Sequence, residues 1–254
     1  MNGDGGIFER ATLCCHVLLI ESEDGLILVD TGFGAADVAD PKGRLGRIFV
    51  GIAQPKLRPE GTAKAQVEAL GFRAEEVRHI VLTHGDLDHG GGLSDFPNAK
   101  VHLHVAEHEA IQDPIGPEKV RYRPIRLHEG VDWVPHAVDG ERWKGFEAVR
   151  PIESKEEVLL LPLPGHSRGH AAVAVRADNG WLLHAGDAYF HGGQMQDPPF
   201  MPPGLGLFQK AVDADRPARI ANQERLRQLA LTHRGEVRVF CAHDPAELAA
   251  LQRS

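Results

Sequence analysis

The chain has 254 residues, 42% of them hydrophobic, and no low-complexity tract, which is enough material to bury a large core. A formal net charge of −8 and a pI near 6.0 argue against a nucleic-acid partner, because a polyanion needs a basic face. No apolar run approaches the roughly 20 residues of a membrane span, and Met1-Asn2-Gly3-Asp4-Gly5-Gly6 lacks the basic and apolar regions of a signal peptide. The expectation is a cytoplasmic protein with no membrane partner.

In chain order, residues 13–20 and 26–30 read as a hairpin turning at Asp24-Gly25. Cys14 and Cys15 lie in the first of these runs and Cys241 in a later apolar run, which suits buried thiols in a reducing compartment better than a disulfide framework. The second run ends at Asp30-Thr31-Gly32, a triplet that by itself needs only a turn. Residues 37–59, with prolines at 41, 55 and 59, read as an irregular segment, either a lid or a surface excursion. Its Ile48, Phe49, Val50 and Ile52 are expected to cover a pocket, the core or a partner. Residues 62–70 read as a helix closed by Gly71.

The apolar run His79-Ile80-Val81-Leu82 then reads as a short strand delivering Thr83-His84-Gly85-Asp86-Leu87-Asp88-His89 and three glycines. A polar turn uses one Asp and a Gly. It has no use for two imidazoles and two carboxylates in six residues, whereas a metal site does. Residues 100–104 follow as a strand and 106–112 as a helix. His102, His104 and His108 have no acidic partner at ligand spacing and are expected in packing or solvent roles. Residues 113–138 read as loop. Its Arg121, Arg123 and Arg126 are expected to form a solvated basic face, with an anion site as the alternative.

Residues 146–149 and 157–163 read as strands, the second ending in Pro164-Gly165-His166-Ser167-Arg168-Gly169-His170. A hairpin through Asp178-Asn179-Gly180 runs into Gly186-Asp187-Ala188-Tyr189-Phe190. Helical pattern fills residues 205–233. A strand over 237–240 then leads to Cys241-Ala242-His243-Asp244-Pro245 and a last helix.

The spacing from His84 to His89 resembles the His-x-His-x-Asp-His motif of the metallo-β-lactamase-fold hydrolases, with Asp86 where that family has its second His. The Asp-Thr-Gly, the Pro-Gly-His-Ser-x-Gly-His, the Gly-Asp and the final His recur in the family's order, so the resemblance runs from residue 13 to the C-terminus. It implies one α/β domain over residues 1–254, a four-layer αββα sandwich with two divalent metal ions. It places His84, Asp86 and His166 on the first ion, Asp88, His89 and His243 on the second, and Asp187 between them, with Asp30 and His170 in support. Two such ions lower the pKa of a bridging water and polarise a carbonyl. The implied reaction is hydrolysis by a hydroxide bridging the two metals, with Asp88 carrying a proton to the leaving group.

Zinc is the expected metal, and the harder oxygen donor of Asp86 opens iron or manganese. The flavodiiron proteins of the superfamily carry Glu there, but their flavodoxin-like domain has no counterpart in this sequence. If instead Asp86 is too short to reach, one ion is weakly held. His243-Asp244-Pro245 and the aromatic residue after Asp187 are similar to the N-acyl-homoserine-lactone lactonase branch, whose Tyr helps hold the lactone carbonyl. Tyr189 lies one residue closer to the Asp than in that branch, so carbonyl contact and packing both stand open. The expected substrate is a small lactone or carboxylic ester. The alternatives are a thioester hydrolase of glyoxalase II type, which should keep the second His, and a non-enzymatic metal-binding protein on the same fold.

Overall fold

The computed structural model describes residues 11–253. Its backbone divides into two units. One takes Val17–Ala137 with Glu153–Lys155, and the other takes the described residues up to His16, Val138–Ile152 and those from Glu156 on.

The first unit is built on a five-stranded sheet of β1 (Leu18–Ser22), β2 (Gly25–Val29), β3 (Val77–Val81), β4 (Lys100–His104) and β5 (Asp132–His136), adjacent in that order. The pair β1–β2 is antiparallel and the remaining pairs are parallel. Ile80, Leu82, Val101 and Leu103 alternate onto one face, where they cluster with Val67 of helix Ala63–Ala69 and Ala110 and Ile111 of helix Val105–Gln112. Thr62 starts the first of these helices by accepting the Ala65 N–H at 3.2 Å. Because β2 and β3 run parallel with Val29 opposite Val81, their carboxyl ends emerge side by side.

Residues 37–59 are more regular than expected. Helices Ala35–Ala39, Pro41–Arg44 and Arg47–Ala53 follow one another, the second capped by Asp40, which accepts the Gly43 N–H at 3.0 Å. Phe49 meets the Phe33 ring at 6.3 Å, whereas Ile48 and Ile52 are 79% and 76% exposed, so those two do not cover the core.

Residues 113–138 hold β5 and a helical turn, Glu118–Arg121. Pro135 disguised the strand, and it is tolerated there because β5 is an edge. His102 is buried rather than solvated. Its ring nitrogens lie 2.9 Å from His79 Nδ1 and 2.9 Å from His136 Nε2, which makes a hydrogen-bonded row across β3, β4 and β5.

The second unit contains the hairpin of β6 (Glu141–Trp143) and β7 (Phe146–Ala148). Beside it is a sheet ordered β11 (Val237–Phe240), β10 (Gly180–His184), β9 (Ala171–Ala177), β8 (Val158–Pro162). The β8–β9 and β9–β10 pairs are antiparallel and β10–β11 is parallel. Helix Arg216–Thr232 lays Leu226 and Leu229 onto Leu159, Leu161, Leu183 and Val237. Residues 13–17 are not strand. The N–H groups of Cys14 and His16 instead donate to the His243 and Ala242 carbonyls at 3.3 and 2.9 Å, which brings the start of the described chain to the loop after β11.

Gly165, at φ +141°, has Arg219 of the long helix so close that an added Cβ would sit 2.6 Å from Arg219 Cβ. Gly165→Ala is expected to cost about 1–3 kcal/mol by overpacking, visible as a lower denaturation midpoint at unchanged slope. A pH effect follows from His102, which burial and its His79 and His136 neighbours push down to about 3 from 6.5. The folded ring stays neutral while the unfolded chain takes up a proton. Stability therefore falls as the pH drops from about 6.5 toward 3. Denaturant titrations across that range should show a shallower decline for His102→Gln than for wild type, and an equal decline would discharge His102 as its source.

Candidate metal centre

Asp30 follows β2 with a left-handed backbone, φ 58°, a conformation worth about 1–3 kcal/mol of strain in a non-glycine residue. What holds it there is a set of three hydrogen bonds to its buried carboxylate. Oδ1 accepts the Thr83 N–H at 2.8 Å, and Oδ2 accepts the Thr83 hydroxyl and His89 Nδ1–H, both at 2.8 Å. A carboxylate can only accept, so the His89 proton is on Nδ1 and the lone pair of the neutral ring is on Nε2. With its own hydrogen on Asp30, the Thr83 oxygen accepts from His84 Nδ1 at 3.0 Å, and His84 likewise carries its lone pair on Nε2. The two rings stand 4.0 Å apart at their centroids.

The acidic members of the motif take different places. Asp86 Oδ2 lies 3.4 Å from His84 Nε2, while its Oδ1 pairs with Arg121 Nε at 2.8 Å. Arg121 is thus no part of a solvated face, because its side chain is only 16% exposed and it faces the very residue that departs from the family motif. Asp88 places Oδ1 4.0 Å from His89 Nε2 and is 24% exposed.

The second unit assembles the other ligand candidates around Asp187. His166 Nε2 lies 3.4 Å from its Oδ2, and His243 Nε2 lies 3.0 Å from Oδ1 and 3.2 Å from Oδ2. His243 Nδ1 donates to the Cys14 carbonyl at 2.7 Å, which again puts the lone pair of the neutral ring on Nε2, facing the carboxylate. His170 supports as expected. Its Nδ1 donates to the Leu163 carbonyl at 3.0 Å and its Nε2 accepts the Asp187 N–H at 3.0 Å, which joins the two loops. Phe190 walls the group edge-on, 6.0 Å from His166 and 5.1 Å from His243.

An imidazole lone pair facing a carboxylate is acceptor against acceptor, and it calls for a cation between them. Two donors on a tetrahedral ion at 2.0–2.2 Å sit about 3.3–3.6 Å apart, the spacing found for His84 with Asp86 and for His166 with Asp187. The donor set of imidazole and carboxylate suits zinc, and the rings of His84, His89 and His243 are each oriented by a partner on Nδ1, as ligating histidines usually are. The residues therefore fit divalent metal.

Tyr189 is fully buried. Its hydroxyl donates to the Glu247 carboxylate at 3.0 and 3.2 Å, and that carboxylate also accepts the Cys241 N–H at 2.8 Å. Burial pushes Glu247 up to about 7. Asp244 caps the helix Pro245–Leu251 through the Ala246 N–H at 2.8 Å and takes the Gly192 N–H at 2.7 Å, which accounts structurally for the His-Asp-Pro context. Sequence reasoning missed Thr83, the Cys14 carbonyl and Arg121. It also took Cys15 for a buried thiol, whereas that residue is half-buried and its Sγ comes within 4.8 Å of a His243 ring nitrogen. Only Thr83 had a signal, its position directly between the strand and His84.

Residues 13–243 match the family described as Metallo-beta-lactamase superfamily. The chain is 45% identical over 235 residues to the Probable metallo-hydrolase Rv2300c of Mycobacterium tuberculosis, covering 92% of this chain and 75% of that protein. It is 28% identical over 243 residues to the N-acyl homoserine lactonase AttM of Rhizobium johnstonii, covering 93% and 84%. Among solved structures it is similar, with a TM-score of 0.66 and 22% identity over 94% of this chain and 84% of the other, to an N-acyl homoserine lactone hydrolase with its product N-hexanoyl-L-homoserine at the catalytic metal center. The chain belongs to the metallo-β-lactamase superfamily, shares its fold and is one of its metal-dependent hydrolases.

Proposed function

We propose that the chain hydrolyses the ester bond of a small lactone or carboxylic ester with two divalent ions. His84, Asp86 and His166 would hold the first, Asp88, His89 and His243 the second, and Asp187 both. The observation that carries this reading is the convergence of two imidazoles on the Asp187 carboxylate, one with its lone pair turned toward it by the Cys14 carbonyl. Bound there, two ions lower the pKa of a water toward neutrality and polarise the substrate carbonyl, so no protein nucleophile is needed.

The remaining roles fall to the chain itself. Asp88 is the motif carboxylate with the larger exposed fraction, 24% against 18% for Asp86, and it is the group we assign to carrying the proton to the leaving alkoxide. Tyr189, with its hydroxyl on Glu247, steadies the loop that presents Asp187. Phe190, with Phe208 tilted against it at 5.8 Å between ring centroids, offers an apolar wall suited to an acyl group. The lactone preference draws support from relatives that are named N-acyl homoserine lactonases, and zinc from the donor set. No helix among the described residues is long and apolar enough to cross a membrane.

Proton release from lactones, simple esters and thioesters should show turnover of lactones or esters that chelation removes and zinc restores. Asp187→Ala and His166→Ala should abolish it while circular dichroism stays native, and full activity in the metal-stripped wild type would sink the mechanism. Tyr189→Phe should lower stability by about 1–3 kcal/mol through the donor lost to a buried carboxylate and leave kcat nearly unchanged. A hundredfold loss of kcat would instead put the phenol on the substrate.

A further inference from the structure

Asp86 is where this chain leaves the family motif, and its two oxygens have different surroundings. Oδ2 lies 3.4 Å from the Nε2 of His84, whereas Oδ1 lies 2.8 Å from the Nε of Arg121. The pair is largely shielded, with side chains 18% and 16% exposed. It is also built from both sides. Tyr122, next to Arg121, is fully buried and donates its hydroxyl to Glu107 Oε1 at 2.9 Å. The same oxygen accepts the N–H of Gly85, the residue between His84 and Asp86, at 2.8 Å. One buried carboxylate thereby holds the backbone beside Asp86 and the side chain beside Arg121. Gly85 packs so closely on this support that an added Cβ would lie 3.1 Å from the Tyr122 ring.

Charge and coordination give the arrangement its meaning. A carboxylate in place of a neutral imidazole adds one negative charge and a second donor oxygen. A permanently charged guanidinium 2.8 Å from one oxygen offsets that charge as a close ion pair and competes with a metal for that oxygen. We propose that Arg121 is a positioning residue of the first metal site, restricting Asp86 to a single donor oxygen, Oδ2, and keeping the site's charge close to that of an all-histidine site. The inference rests on the metal reading above. Its consequence is selectivity: a one-oxygen Asp86 keeps the coordination number low, as zinc prefers, whereas a carboxylate released from Arg121 can chelate and favours ions of higher coordination such as manganese.

The test uses metal-stripped full-length protein with zinc and manganese affinities from chelator competition and the visible absorption of the cobalt-substituted form. Arg121→Ala should weaken zinc at one site by about 10–100-fold, as loss of a partner behind a ligand does. It should also narrow the preference for zinc over manganese and weaken the cobalt bands as coordination rises. Asp86→His alone leaves the guanidinium facing a cation and should bind zinc poorly, while Asp86→His with Arg121→Ala should bind it more tightly than Asp86→His alone. That second comparison holds its value if Arg121→Ala folds badly in the native background. Equal zinc-to-manganese ratios in wild type and Arg121→Ala, or an Asp86→His protein indifferent to Arg121, would overturn the inference and leave the metal centre standing. A wild-type protein that binds no divalent ion would overturn both.

Discussion

The orientation of the imidazoles is the constraint on which the candidate ligands within each unit depend. His84, His89 and His243 each have Nδ1 directed at a fixed oxygen, respectively the Thr83 hydroxyl, the Asp30 carboxylate and the Cys14 carbonyl. That leaves the lone pair of each neutral ring on Nε2. None of these partners is adjustable. Asp30 is pinned by three hydrogen bonds in a strained backbone, Thr83 follows a buried strand in parallel register with the strand before Asp30, and the Cys14 carbonyl is set by backbone bonding to residues 242 and 243. The strain at Asp30 is maintained because the sheet on one side and the motif on the other over-determine it.

The departure at Asp86 becomes intelligible through charge. A group of imidazoles tolerates a largely shielded carboxylate poorly unless the added charge is met, and the Arg121 guanidinium meets it as an ion pair at 2.8 Å. Asp86 Oδ2 stands 3.4 Å from His84 Nε2, the separation two donors adopt on one tetrahedral ion. Glu107, an acid buried in the helix Val105–Gln112, ties the motif backbone and the Tyr122 hydroxyl to the same point. Loop, helix and edge region of the first unit thus share one anchor.

Much of this was legible before any coordinates, for a physical reason. Strands such as Val237–Phe240 and Lys100–His104 declare themselves by apolar or alternating side chains, and chemistry placed at their ends stands out against them. The strand Asp132–His136 did not, because an edge strand needs no apolar pattern on both faces and can carry Pro135. Cys14 looked like strand because its neighbours are apolar, yet its backbone pairs with residues more than two hundred positions away, which no local pattern encodes. Arg121 was invisible for the same reason: its partner lies on another loop, and a run of alternating arginines reads equally well as a wet surface. Tyr189 shows the converse hazard. Its position two residues after Asp187 suggested a substrate contact, while the acid that engages its hydroxyl, Glu247, lies far along the chain.

The most direct test of the central claim is the zinc stoichiometry of the metal-stripped chain, measured by calorimetric titration alongside the Asp187→Ala and His243→Ala proteins. Two ions per wild-type chain, with binding weakened at both sites by Asp187→Ala and chiefly at one by His243→Ala, is the predicted result. Binding of no ion, or of ions indifferent to both substitutions, would contradict the account and show that these residues serve something other than a metal centre.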